Sequence, residues 1–184
     1  IEALKVLKNG DFATADSESY IKIWSGRNYL LIKTLNANSD KINVLEVLSS
    51  GVLVSGSNNI TFWDIATGSR LKTLNPLSAT VTCLKETSDG MLFIGGNTKK
   101  LAYYDGTSTF TIENALQSSS CNGFSLYNDT YLMVAQPSNS IDIYDVSLTS
   151  NPVRSSPINL GGSSICVESL RKIFLSFYLS NFDI

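Results

Sequence analysis

Apolar and polar side chains alternate along this chain in short runs, and turn-forming residues close each run. The runs "YIKIW" (Tyr20–Trp24), "ITFW" (Ile60–Trp63) and "SIDIY" (Ser140–Tyr144) are typical. A period of two is the pattern of a half-buried strand, and these segments are rich in the Val, Ile, Tyr, Phe, Trp and Thr that suit a pleated surface. Asn9-Gly10, Ser50-Gly51 and Asp89-Gly90 separate first from second segments; Gly supplies the positive φ that tight hairpins require. Ser57–Asn59, Asn97–Lys100 and Pro137–Ser140 separate second from third, and Ala66–Gly68 separates third from fourth. No segment has a helical period, and the turn signals rarely leave room for the roughly ten residues of a helix. The pattern predicts units of four short antiparallel strands.

The units recur in register. Trp24, Trp63, Tyr104 and Tyr144 end the third segments, at steps of 39, 41 and 40 positions. Leu4, Leu45, Leu84 and Phe124 begin the first segments, at steps of 41, 39 and 40. A further column, "FATA", "LVSG", "FIGG" and "MVAQ", follows each of these. The frame divides the chain at about 1–41, 42–80, 81–120, 121–161 and 162–184, the last unit truncated. A four-stranded unit of roughly 40–45 residues in tandem is the sequence sign of a β-propeller blade. One small sheet cannot bury both faces, so blades must stack. The expected fold is all-β, with about four and a half blades in one domain and the ring incomplete.

These units resemble WD40 repeats. The second is the closest fit: "LVSGSNNITFWDIATGSRLKTL" has Ser-Gly after strand two, Trp-Asp ending strand three, and Thr-Gly before Leu-Lys-Thr-Leu in strand four. The resemblance covers essentially the whole chain. The repeats are divergent. With no histidine, the family's His–Asp–Ser–Trp hydrogen-bond network cannot form; the Trp column becomes Tyr104 and Tyr144, and Asp64, Asp105 and Asp145 keep the following aspartate where the first unit has Ser25.

In the fifth unit Ile165 matches Leu45, Arg171 takes the Gly51 position, and "NFDI" matches "SIDI", so the sequence stops inside a predicted third strand. The resemblance implies a ring of about seven blades. The expectation is therefore a piece of a longer chain that begins at Ile1 rather than Met. An open arc would expose an apolar blade face and a strand edge, inviting self-association through open blade edges.

Composition then removes functions. The net charge is −2, with scattered basic residues, against the clustered Lys and Arg of a nucleic-acid footprint. The longest apolar stretch, Ile173–Leu179, is far short of the ~20 residues of a membrane-spanning helix, and no signal peptide is evident. The absence of histidine excludes a Ser-His-Asp triad, a Cys-His pair and any His-containing metal site within these residues. No GxxxxGK[ST] or GxGxxG loop occurs. Cys83, Cys121 and Cys166 lie far apart without a CxxC pair, which reads as small buried thiols in a reducing compartment. Two N-x-T sequons, at Asn59 and Asn128, point the other way, toward secretion. Asp64, Asp105 and Asp145, with Trp24, Trp63, Tyr104 and Tyr144, recur once per unit and read as structural, since catalysis needs a unique constellation. No cofactor or metal is expected.

What remains is recognition. The resemblance implies a rigid, non-catalytic scaffold, intracellular and cytoplasmic, that binds other proteins through the rim around the channel. Carried over, the residues flanking strand one are Lys41 and Asn43, Thr80 and Thr82, and Ser120 and Asn122; the second-to-third turns contribute Ser17, Asn97, Pro137 and Tyr178. This set is polar and lacks the Trp and Arg of typical hot spots. The alternative is an extracytoplasmic or sensory propeller binding a small ligand or glycan, or a propeller domain of a larger enzyme or receptor.

Overall fold

The computed structural model describes residues 1–37, 40–137, 140–147, 152–154 and 158–159. The expected fifth unit, with Ile165, Cys166, Arg171 and Tyr178, lies outside the described residues. Among the described residues there are only strands and connections, and no helix.

The first sheet comprises β1 (Ala3–Val6), β2 (Phe12–Ala15), β3 (Tyr20–Trp24) and β4 (Leu31–Asn36). The second comprises β5 (Val44–Val47), β6 (Leu53–Gly56), β7 (Ile60–Trp63) and β8 (Arg70–Leu74). The third comprises β9 (Val81–Glu86), β10 (Leu92–Gly96), β11 (Leu101–Tyr104) and β12 (Thr109–Ile112). Each is an antiparallel meander in chain order. The fourth sheet, β13 (Gly123–Tyr127), β14 (Tyr131–Ala135) and β15 (Ser140–Asp145), departs from the expected pattern in its outermost strand. Two short pieces, β16 (Val153–Arg154) and β17 (Ile158–Asn159), both pair with β15.

The first strands of successive sheets lie side by side, β1 against β5, β5 against β9, and β9 against β13. The alternation then explains the cores. Ala13, Ala15, Ile21, Ile23 and Leu35 of the first sheet pack on Leu45, Leu53 and Trp63 of the second. Val54, Ile60 and Phe62, on the other face of the second sheet, pack on Leu84, Leu92, Ile94, Ala102 and Tyr104 of the third. Phe93, Leu101 and Tyr103 pack on Phe124, Leu132, Val134 and Tyr144 of the fourth. At ~25 cal/mol per Å² of buried apolar surface, these inter-sheet layers are the main force holding the stack together.

The small residues of the repeated second-strand column have a packing reason. A Cβ on Gly56 would lie 2.6 Å from Val44 Cγ1 and 2.8 Å from Val81 Cγ1. Gly95 leaves room in the same way for Cys121 and Phe124 of the next unit. In the fourth unit the glycine of the first hairpin is replaced by Asn128 and Asp129, at φ 49° and 52°. Asn and Asp tolerate this left-handed region best after Gly.

Candidate functional site

Topology gathers the candidate rim. In each meander the first strand starts at one end of the stack and the second strand returns to it. The second-to-third turns and the connectors between sheets therefore share that end. Ser17, Lys41, Asn43, Thr80, Thr82, Asn97, Ser120, Asn122 and Pro137 all lie there by this path, while Tyr178 lies outside the described residues.

Several of these side chains are engaged in joining one unit to the next. Asn43 Nδ2 donates to the Val81 carbonyl at 3.3 Å. Thr80 Oγ1 donates to Asn58 Oδ1 at 3.0 Å, and Thr82 Oγ1 to the Cys121 carbonyl at 2.6 Å. Backbone bonds support them: Val81 N to the Ser57 carbonyl at 2.6 Å, and Cys121 N to the Gly96 carbonyl at 3.0 Å. Lys41 pairs with Glu2 at 2.8 Å, an exposed contact worth at most about 1 kcal/mol. Ser120 is half-buried, and its carbonyl accepts from Ser118 Oγ at 3.1 Å. Ser17, Asn97, Asn122 and Pro137 are exposed. Asn43, Thr80 and Thr82 are thus spent on the stack, Ser120 is bonded within its connector, Lys41 is exposed in an ion pair, and Ser17, Asn97, Asn122 and Pro137 are exposed.

The opposite end is tied by the same device. Lys5 Nζ reaches Glu46, one unit on, at 2.7 Å, and Ser49 donates from N and Oγ to the Glu86 carboxylate at 2.5 and 2.9 Å. A shallow cleft there is lined by Leu7, Lys8, Asn9, Asp64, Ile65 and Ala66.

The once-per-unit residues have local jobs. Asp64 Oδ1 accepts from Ala66 N at 2.9 Å and its Oδ2 from Thr67 Oγ1 at 2.7 Å. Asp105 accepts from the backbone N of Thr107 and Ser108, at 2.8 and 2.7 Å. Asp145 accepts from Ser147 N and Oγ, at 2.9 and 2.6 Å. Each carboxylate nucleates the third-to-fourth turn, and these hydrogen bonds hold its pKa below the ordinary value: for Asp64 and Asp145 chiefly the hydroxyls of Thr67 and Ser147, for Asp105 chiefly the amide of Ser108. Trp63 Nε1 donates to Ser55 Oγ at 2.9 Å, and Trp24 Nε1 to Thr14 Oγ1 at 2.9 Å. The same indole-to-hydroxyl bond from third strand to second thus recurs in the first and second sheets. Tyr104 accepts from Lys72 Nζ at 3.1 Å and donates to the Gly106 carbonyl. Tyr144 donates to the Ala115 carbonyl at 2.5 Å, and burial pushes its hydroxyl well above the usual range.

Two features escaped sequence reading. Asp142, which strand alternation would place with its polar neighbours, is 0% exposed. Arg154 pairs with it at 2.8 Å, and Gln136 Nε2 donates to its other oxygen; Gln136 Oε1 in turn accepts from Ser118 N at 2.7 Å. The only hint in sequence was an acidic residue inside "SIDIY", and its partner depends on where the split outer strand returns. The second is a thiol pair. Cys83 and Cys121, far apart in sequence, are in contact across the third and fourth sheets.

Among the described residues no group of three or more His, Cys, Asp or Glu side chains could hold a metal ion, and no buried side-chain polar atom lacks a hydrogen-bond partner. No helix of the described residues is long and apolar enough to cross a membrane. A scan against protein-family models and a search of curated proteins both found no match for this chain.

Proposed function

We propose that this chain is a WD40-like β-propeller segment acting as an intracellular, non-catalytic scaffold that binds other proteins through its rim. The observation that carries the reading is the division of rim side chains. Asn43, Thr80 and Thr82 lock successive units together, which makes the end rigid. Ser17, Asn97, Asn122 and Pro137 remain exposed on that frame. A rigid set of outward side chains loses little entropy when it binds. The repeated carboxylates are engaged in turns, which supports a structural role for them over a catalytic one. A second contact surface is the outer face of the first sheet, through which the chain self-associates.

The test compares charged substitutions at the two ends of the stack. One variant carries Ser17→Arg, Asn97→Arg and Asn122→Arg; a control carries Lys8→Glu and Asp89→Lys at the opposite end. Both are compared with the parent in affinity isolation from cells, after matched circular dichroism. Proteins retained by parent and control and lost from the rim variant support the reading. Equal retention by all three, or measurable turnover by the parent, would overturn it.

The alternative, an extracytoplasmic propeller for a small ligand or glycan, is favoured by one observation. The sequon at Asn128 sits in an exposed turn, where a glycan could be attached without disturbing a strand.

A further inference from the structure

We propose that Cys83 and Cys121 are a disulfide-forming pair that staples the third unit to the fourth. Cys83 lies on β9 and Cys121 on the connector leading into β13, so the two sulfurs meet at the seam between adjacent sheets. The Cys121 thiol donates to Cys83 Sγ at 2.7 Å, roughly 0.7 Å longer than the ~2.05 Å of an S–S bond. Their surroundings hold them there. Cys83 Sγ also donates to the Cys121 carbonyl at 3.3 Å, and Cys121 N is bonded to the Gly96 carbonyl at 3.0 Å. Gly95 completes the arrangement, because a Cβ there would stand 2.9 Å from Cys121 Sγ. Burial raises the Cys121 thiol's pKa, with the neighbouring Cys83 adding to the shift.

The chemistry balances with a small disulfide as oxidant. One cysteine thiolate attacks glutathione disulfide, forming a mixed disulfide and releasing one glutathione. The second thiolate attacks the protein-bound sulfur and releases the other glutathione. The two cysteines lose two electrons and two protons in all, and the glutathione disulfide gains them. The inference does not depend on which partner the rim binds. A bond that persists in the cell would place the protein in an oxidising compartment, and so count against the intracellular location proposed above and for the extracytoplasmic alternative.

The test uses the full chain with Cys166→Ser, refolded with glutathione disulfide. The expected product is lighter by two hydrogen atoms, carries no glutathione, and yields a non-reducing peptide linking residues 83 and 121. Its urea midpoint falls on adding dithiothreitol. In the added variant Cys121→Ser, Cys83 is expected to retain glutathione or stay free, with no linked peptide. The proposal fails if the refolded parent keeps two alkylatable thiols, or gains glutathione on both cysteines without a link. Circular dichroism of the refolded chain, matched to the purified parent, establishes that the sheets have formed before the thiols are counted.

Discussion

Replacing Gly96 with alanine puts a methyl group directly onto the Thr80 carbonyl oxygen, with the Thr80 carbonyl carbon at 3.1 Å and Leu77 Cδ1 at 3.2 Å. The obstacle is backbone, so no rotamer change relieves it. That same carbonyl accepts from Asn97 N at 2.8 Å, a bond that any shift weakens. Overpacking of a tight core costs roughly 1–3 kcal/mol, and this site belongs at the upper end; the weakened bond adds about 1 kcal/mol. Against this, alanine suits a strand better than glycine by about 0.5–1 kcal/mol. The net expectation for Gly96→Ala is a loss of about 3 kcal/mol. Gly56→Ala meets two valine side chains instead, which can give a little but are stiff at χ1, and about 2 kcal/mol is expected. Gly90→Ala meets nothing within 4 Å and suffers only the left-handed backbone at φ +88°, about 1 kcal/mol. Urea unfolding of the parent and the three variants measures the series, with midpoints compared at unchanged slope. The reasoning is refuted if Gly96→Ala lies within about 0.5 kcal/mol of the parent, or if Gly90→Ala costs more than Gly96→Ala.

Two further outcomes follow from the turns and the open face. Asp64, Asp105 and Asp145 titrate lower when folded than the ordinary 3.8, so their contribution is present above that value and lost as pH falls through the lowered folded values. The triple Asp→Asn variant should be less stable than the parent at neutral pH, with the gap closing below about pH 4; urea midpoints showing a constant gap down to acid pH would contradict this. The outer face of the first sheet exposes Leu4 at 59%, Val6 at 62% and Tyr29 at 72%, around the stacked rings of Phe12 and Trp24. Leu45, Val47, Leu53 and Trp63 hold the equivalent register places in the second sheet, where they are packed against the first. Sedimentation velocity of the parent should therefore show mass rising with concentration, and Leu4→Lys with Val6→Lys should abolish that rise; a parent that stays monomeric at all concentrations would remove the self-association surface.

The strand pattern was legible because strands with one face more buried than the other alternate in polarity, and because the hairpins need particular residues. "LVSGSNNITFWD" alternates as strands do, and its Ser-Gly, Asn-Asn and Asp positions are where the backbone turns or approaches the next sheet. The fourth unit was harder to read. Its outer strand is split between β16 and β17, and nothing in "SLTSNPVRSSPINL" alternates strongly enough to fix that register. Asp142 escaped for a related reason. Alternation says which face a side chain takes, but burial on that face depends on the neighbouring sheet, and the charge is tolerated because Arg154 and Gln136 arrive from elsewhere in the chain.

That strand starts and second-to-third turns share one end of the stack was legible, and which side chains there reach the next unit was not. Repeat spacing put Asn43, Thr80 and Thr82 at strand starts beside Lys41 and Asn122, and gave no reason to separate them. The separation comes from reach. A side chain at a strand start can span to the next unit only when an acceptor lies across the seam, as the Val81 and Cys121 carbonyls do for Asn43 and Thr82. Those acceptors are backbone atoms, invisible in side-chain identity. The same gap hid the contact of Cys83 with Cys121, whose spacing of 38 positions is close to one repeat. Residues about one repeat apart lie at equivalent places in adjacent sheets, and near the first strands those places are close enough to touch. In a stacked-sheet chain, then, paired chemistry is sought at separations near the repeat length rather than at the short spacings of local motifs.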